Sequence, residues 1–164
     1  MTVNPSAPPE PPAPGPVPLV SSLEGPAGAP VVVLGNSLGT TRAVWEPQQA
    51  LLRRHFRLLV YEHRGHGGSP APAGPYTIGQ LGADVLALLD GYGIERAAYC
   101  GISLGGMIGL WLASNAPDRI AAMNSRSCNS MPLVETSTAD TSIGSSRPVT
   151  RSSYRAIYVP LSQI

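Results

Sequence analysis

The pattern of apolar and polar positions predicts strands that alternate with helices between residues 17 and 123. Residues 31–34 are a continuous apolar run, rich in β-branched side chains and bounded by Pro30 and Gly35. Such a run is typical of a strand that is buried on both faces of a parallel sheet. Further apolar runs of strand length occur at residues 56–61, 97–100 and 119–123.

Helical patterns separate these runs. Thr77 and Gln80 have the spacing of a capping box. Residues 104–115 form an apolar segment that ends before Pro117, and residues 47–54 are a shorter helix candidate. The stripe that follows the capping box consists of Ile78, Leu81, Val85, Leu88 and Leu89. The alternation predicts an α/β fold: a mostly parallel sheet with helices on both faces.

The two ends of the chain differ from this central part. Residues 1–16 are rich in proline, which lacks an amide donor and has a fixed φ, so we expect a disordered leader. Residues 124–164 are dense in Ser, Thr and Arg and show no sustained period, so we expect an atypical, disordered tail. The prediction is therefore a partial α/β domain over residues 17–123.

Composition excludes several classes of function. The 11 basic and 10 acidic residues nearly balance, which gives no electrostatic case for nucleic acid or an anionic membrane as a partner. No apolar stretch reaches the ~18–20 residues that cross a bilayer, and no signal-peptide pattern is present, so we expect a cytoplasmic location. The two cysteines make neither a disulfide framework nor a zinc site.

The sequence Gly-Ile-Ser-Leu-Gly at residues 101–105 has the form of a nucleophile elbow. A predicted strand precedes it and a predicted helix follows it. In such an elbow the serine occupies a sharp, strained turn, and the small residues two before and two after it let neighbouring segments pass closely. The helix N-terminus favours negative charge that develops beside the serine. Ser103 is therefore the candidate nucleophile of a serine hydrolase.

A second glycine-containing loop, residues 35–40, follows the strand predicted at 31–34. In folds that use a nucleophile elbow, the loop at this place donates one main-chain amide to the oxyanion, and the residue after the nucleophile donates the other. Leu38 and Leu104 are the candidate donors, since a main-chain amide requires no particular side chain.

The triad that serves such a serine runs in the order Ser, acid, His along the chain. The three histidines, His55, His63 and His66, all precede Ser103. We therefore assign neither a triad acid nor a triad histidine. We expect His63 and His66 to form hydrogen bonds within their glycine-rich loop rather than to bind a metal. His55 and Asp84 are expected to be solvated, with a capping role as the other possibility for Asp84.

Three segments together resemble the α/β-hydrolase superfamily, and more narrowly the 3-oxoadipate enol-lactonases of aromatic catabolism. They are LGNSLGTTRAVWEPQ at 34–48, YEHRGHGGSPAPAGPYTI at 61–78 and LGADVLALLDGYGIERAAYCGISLGGMIGLWLASNAPDRI at 81–120. The NSLGT loop and the stretch from RGHGGSP to GISLGGM are the specific parts. The resemblance covers residues 17–123.

This resemblance implies that Ser103 attacks the carbonyl of 3-oxoadipate enol-lactone while the amides of Leu38 and Leu104 hold the oxyanion. Water would then release 3-oxoadipate, as in the β-ketoadipate pathway. It implies a small-molecule lactone or ester as the partner and neither a metal nor an organic cofactor. It does not predict the oligomeric state.

Because no triad acid or histidine is matched, we expect the chain to be inactive by itself. Members of the family have further strands and a helical cap, so we expect a truncated form of the fold. Two alternatives stay open. One is a non-catalytic remnant, because the change in character after Ala122 resembles a reading-frame shift in a GC-rich gene. The other is a pseudoenzyme that binds a ligand at the oxyanion loop without turnover.

Overall fold

The computed structural model describes residues 15–126, 133–136 and 154–157, which contain a seven-stranded sheet with the order β1-β3-β2-β4-β5-β6-β7. The strands are β1 Ser21–Glu24, β2 Val31–Gly35, β3 Arg57–Tyr61, β4 Ala97–Ile102, β5 Ile120–Arg126, β6 Leu133–Thr136 and β7 Tyr154–Ile157. The α-helices are α1 Glu46–Leu52, α2 Ile78–Gly91 and α3 Leu104–Asn115, with short 3-10 helices at Arg42–Trp45 and Pro117–Arg119.

The central strands β3, β2, β4 and β5 lie side by side and are parallel. β1 pairs with β3 in the antiparallel sense, and β6 and β7 extend the other side as antiparallel strands. The structure confirms the predicted α/β class with a mostly parallel sheet.

Alternate side chains of the central strands point to opposite faces of the sheet, and helices pack on each face. On one face, Val33 and Leu59 join the buried side chains of α2 and α3, among them Val85 and Ile108. On the other face lies a smaller cluster that Leu52 of α1 borders. Its buried members are Leu34, Trp45, Leu58 and Val60. Both faces of the sheet are therefore covered, as the continuous apolar strands predict.

The capping box predicted at Thr77 and Gln80 is present. The Gln80 amide donates to Thr77 Oγ1 at 3.2 Å, and the Thr77 amide donates to Gln80 Oε1 at 2.8 Å. α2 begins directly after this cap. None of the helices in the described part of the chain has the length and apolar character that crossing a membrane requires.

Strands occur beyond residue 123 in the described parts of the tail, whereas the disorder expected for the other residues of 124–164 lies outside the described residues. β5 continues to Arg126, because its backbone keeps pairing with β4 up to Ile102↔Arg126 even where its side chains turn polar. β6 and β7 add two more strands. Sheet pairing uses main-chain groups, so loss of the apolar pattern does not end it. The leader expected to be disordered spans residues 1–16; residues 1–14 of it lie outside the described residues, and residues 15 and 16 belong to no helix or strand.

Candidate active site

Ser103 occupies the corner between β4 and α3. Its φ is 52° and its ψ is −111°, and it is the one non-glycine residue with positive φ among the residues that the structure describes. A non-glycine side chain in such a region carries on the order of 1–3 kcal/mol of strain, and such strain concentrates at functional sites. The strand, strained serine and helix together are the geometry predicted for a nucleophile elbow.

The glycines on either side of Ser103 are required by close approach of main chains. A Cβ on Gly101 would lie 2.3 Å from the carbonyl carbon of Gly105. A Cβ on Gly105 would lie 2.4 Å from the carbonyl oxygen of Gly35 at the end of β2. Real Cβ atoms do not approach backbone atoms so closely, so both positions need glycine for the turn to form as it does.

The loop that the sequence predicts to supply an oxyanion donor follows β2, and we call its residues 36–40 the oxyanion loop after that prediction. Its first residue, Asn36, is tied to the elbow, because the Gly105 amide donates to the Asn36 carbonyl oxygen at 3.1 Å. The Thr40 amide donates to the Ser37 carbonyl oxygen at 3.2 Å and closes a turn in which Gly39 has a φ of 71°. Leu38 lies in that turn and is 69% exposed. The structure thus brings the loop of Leu38 against the first turn of α3.

His63 binds the same carbonyl oxygen of the oxyanion loop as the Gly105 amide. It is buried, and its Nε2 lies 2.8 Å from the Asn36 carbonyl oxygen, to which it donates. Nε2 therefore carries the hydrogen, and Nδ1 is a buried acceptor that no described residue partners. Burial lowers the pKa of His63 to about 4.

His66 also contacts the oxyanion loop. Its Nε2 accepts the Gly39 amide hydrogen at 3.0 Å, and its Nδ1 lies 3.2 Å from the Arg64 carbonyl oxygen within its own loop. The expectation of bonds within the glycine-rich loop holds for His66 and Arg64. The bonds to Asn36 and Gly39 were not predicted, because they join the glycine-rich loop to the oxyanion loop.

None of the hydrogen bonds found in the described residues joins a histidine to Ser103. His55 is exposed, as expected. The described residues also contain no group of three His, Cys, Asp or Glu side chains arranged to hold a metal ion.

The expectation that Asp84 is solvated, or else a capping carboxylate, is wrong. Asp84 is 1% exposed and pairs with Arg64, whose side chain is fully buried. The sequence held one signal of this: Asp84 falls on the apolar stripe of α2, between Leu81 and Leu88, where a solvated carboxylate does not belong. Its partner in a loop 20 residues earlier was not predictable from spacing.

Sequence reasoning also missed Glu62, which is buried at the end of β3. Both of its carboxylate oxygens accept the Arg42 amide hydrogen at 3.1 Å. The neighbouring Gly67 has a φ of 51°, and a Cβ there would lie 2.8 Å from the Glu62 carboxyl carbon. Glu62 therefore links the glycine-rich loop to the segment that follows the oxyanion loop.

Residues 30–156 match the family model described as the alpha/beta hydrolase fold. The chain belongs to the α/β-hydrolase fold family. Among curated proteins, this α/β-hydrolase chain is 47% identical over 95 residues to "3-oxoadipate enol-lactonase 2" of Acinetobacter baylyi. The aligned residues cover 58% of the chain and 36% of that protein. The chain is 40% identical over 110 residues to RutD of Variovorax paradoxus, named as a carbamate hydrolase, covering 65% of the chain and 41% of that protein.

Solved structures agree with this assignment. An enol-lactonase from Burkholderia xenovorans superposes with a TM-score of 0.61 at 52% identity, over 62% of this chain and 40% of that one. A hydrolase from Pseudomonas aeruginosa gives a TM-score of 0.63 at 50% identity, over 64% of this chain and 40% of that one. The α/β-hydrolase chain thus spans 36% and 41% of the length of these two curated relatives.

Proposed function

We propose that the chain carries the nucleophile and the oxyanion donors of a serine hydrolase that opens a small lactone, with 3-oxoadipate enol-lactone as the substrate. The observation that carries the proposal is the strained corner at Ser103, held against the oxyanion loop by the bond from Gly105 to Asn36. The choice of substrate follows the names of the Acinetobacter and Burkholderia relatives.

In this proposal Ser103 Oγ forms a bond to the lactone carbonyl carbon, and the carbonyl oxygen takes up the electron pair as an oxyanion. The amides of Leu38 and Leu104 donate to it. Leu104 is the first residue of α3, so its N–H has no acceptor one turn earlier in the helix. Donors placed in this way are worth on the order of 3 kcal/mol each in the transition state.

Collapse of the tetrahedral intermediate breaks the ring C–O bond. The enolate leaves and takes up a proton at its carbon atom, which gives the ketone, while the acyl group stays on Ser103. Water then attacks the ester and releases 3-oxoadipate. Each half of the reaction needs a group that accepts a proton, first from Ser103 and then from water.

The chain contains no histidine after Ser103, and the two histidines that contact the oxyanion loop bind Asn36 and Gly39. The proposal is therefore that the 164-residue chain is inactive by itself, because none of the hydrogen bonds of the described residues places a proton acceptor on Ser103. An acid and a histidine are assigned to no residue of this sequence.

A base supplied from solution tests this proposal. The chain is incubated with a fluorophosphonate, which forms a stable adduct on an activated serine, with and without a high concentration of imidazole. Intact-mass spectrometry and peptide mapping then locate the adduct. We expect one adduct on Ser103 that imidazole accelerates and that Ser103→Ala abolishes. Ser114→Ala, which removes an exposed serine of the same helix, is the matched control and should label normally.

The missing base favours a second candidate, a pseudoenzyme that binds a ligand at the oxyanion loop without turnover. The same labelling experiment, with binding of the lactone to the chain measured beside it by calorimetry, separates the two. A chain that binds the lactone but gains no Ser103 adduct at any imidazole concentration is the pseudoenzyme. A chain that neither labels nor binds contradicts both and supports a non-catalytic remnant.

A further inference from the structure

Two histidines hold the oxyanion loop at two points and in opposite hydrogen-bonding senses. His63 donates from Nε2 to the carbonyl oxygen of Asn36, at the start of the loop. His66 accepts at Nε2 from the amide of Gly39, near its end. The two rings also pack edge to face, with centroids 5.6 Å apart and an interplanar angle of 79°.

The contacts of His66 define its tautomer. Nε2 accepts a hydrogen bond, so it carries a lone pair. Nδ1 lies 3.2 Å from the carbonyl oxygen of Arg64, which can only accept, so Nδ1 carries the hydrogen. The imidazole is therefore neutral, with one nitrogen anchored in its own loop and the other presented to Gly39.

The oxyanion loop is closed internally by bonds from the Thr40 amide and Thr40 Oγ1 to the Ser37 carbonyl oxygen and from Asn36 Nδ2 to the Thr40 carbonyl oxygen. The bond to His66 ties the Gly39 amide, inside that turn, to the neighbouring loop. The Gly39 amide belongs to the peptide group that directly follows Leu38. Gly39 has a φ of 71°, in a region that glycine enters freely and also leaves freely. The start of the loop, by contrast, is held by two donors on the Asn36 carbonyl oxygen, the Gly105 amide and His63.

We propose that His66 is a positioning residue, which orients the Leu38 amide for the oxyanion by holding the Gly39 amide that follows it. His66 itself does not touch the substrate in this arrangement. The inference rests on the proposed function in one respect, namely that Leu38 is an oxyanion donor. The bond to Gly39 and its tautomer are open to test without any chemistry at Ser103.

The first test uses NMR on the unmutated chain with 15N-labelled histidine. Long-range proton–nitrogen spectra at neutral pH report which ring nitrogen carries the hydrogen. We expect a protonated Nδ1 and an unprotonated Nε2 on His66. A protonated Nε2 on that ring overturns the inference, since it could not accept the Gly39 amide.

The second test compares two variants of His66. His66→Leu removes the acceptor, whereas His66→Gln presents an amide oxygen near the position of Nε2. In His66→Leu we expect the Gly39 amide resonance to move and the imidazole-assisted labelling of Ser103 to slow by about tenfold, less than the 10²–10³ that loss of an oxyanion donor costs. In His66→Gln the Gly39 amide resonance should return towards its position in the unmutated chain, and the labelling rate should return to within about threefold of that chain. His55→Leu, at an exposed histidine, is the control and should change neither.

These readouts separate failure of the inference from failure of the proposed function. An unmutated chain that gains no Ser103 adduct contradicts the proposed function. The Gly39 resonance then still tests whether His66 holds the Gly39 amide. A Gly39 resonance that His66→Leu leaves in place overturns the inference. So does a labelling rate that falls equally in the Leu and Gln variants, because loss of the ring, and not of the acceptor, would then be the cause.

Discussion

Arg64 and Asp84 form a two-point ion pair inside the protein. Arg64 Nε donates to Asp84 Oδ2 at 2.6 Å, and Nη2 donates to Oδ1 at 2.7 Å. The Val17 amide adds a third hydrogen bond to Oδ1 at 2.8 Å. Asp84 thus joins α2 to the glycine-rich loop of His63 and His66 and to the segment before β1.

Replacing one partner of this pair should destabilise the fold. We expect Asp84→Asn to lower the free energy of unfolding by about 3–5 kcal/mol, because the Arg64 charge stays buried without its counter-charge. Urea unfolding followed by circular dichroism measures this. Asp90→Asn is the matched control on the same helix. Asp90 is 65% exposed in its pair with Arg119, so its loss should cost less than about 1 kcal/mol. Equal effects of the two variants would contradict the prediction.

The packing of the elbow predicts that one methyl group added at Gly105 lowers the free energy of unfolding strongly. In Gly105→Ala the new Cβ would meet the carbonyl oxygen of Gly35 at 2.4 Å. Because both clashing groups are main chain, we expect a loss of about 3 kcal/mol or more in unfolding free energy, at the upper end for overpacked sites. A thermal or urea melt measures it.

Gly91→Ala provides the comparison for that variant, since a Cβ at Gly91 meets nothing within 4 Å at the end of α2. Alanine is favoured over glycine in helices by about 1 kcal/mol, so this change should be neutral or stabilising. A Gly105→Ala chain as stable as Gly91→Ala would show that the elbow backbone can shift to admit a side chain.

Burial of His63 predicts acid sensitivity. Its pKa falls to about 4 in the folded chain, below the ordinary value of 6.5 that the unfolded chain regains. Between these values the unfolded chain binds a proton that the folded chain does not, so stability falls as the pH drops through this window. At pH 5 the loss amounts to about 2 kcal/mol relative to pH 7.

Urea midpoints at pH 7 and pH 5 check this prediction with His63→Gln as the control. A glutamine amide can still donate to the Asn36 carbonyl oxygen but does not titrate. The variant should therefore lose about 2 kcal/mol less than the unmutated chain on acidification. If both chains lose the same amount, other groups cause the acid sensitivity.

The absence of a histidine after Ser103 predicts negligible turnover of 3-oxoadipate enol-lactone by the 164-residue chain. Loss of a triad member costs on the order of 10⁴–10⁶ in rate, with a small residue of catalysis from the oxyanion donors. Spectrophotometric assays should thus give rates for the unmutated chain and Ser103→Ala that agree within about twofold. Clear turnover that disappears in Ser103→Ala would mean that another group takes the Ser103 proton.

The parts of the fold that depend on neighbouring residues were predictable. The run at 31–34 became β2, the capping box of Thr77 and Gln80 begins α2, and the sequence around Ser103 forms a strained corner. Each follows from interactions within a few residues: β-branched packing, a side chain that caps the first turn, and glycines that admit a close backbone.

Contacts between distant segments were not predictable in the same way. The bond between Gly39 and His66 joins residues 27 apart, and the pair of Arg64 and Asp84 joins residues 20 apart. Nothing in the local pattern of a glycine-rich loop says which of its polar groups is buried or what it faces. The strands after residue 126 escaped prediction because their pairing uses main-chain groups rather than an apolar side-chain pattern.

The sequence by itself therefore determined the four central strands, the helices between them and the serine corner, since hydrophobic periodicity and glycine placement act over a turn or two of chain. Only the tertiary structure decided that Asp84 is a buried partner of Arg64 and that His63 and His66 hold the oxyanion loop. The physical reason is that burial and hydrogen bonding are properties of the groups that meet across the fold, and the sheet order brings them together.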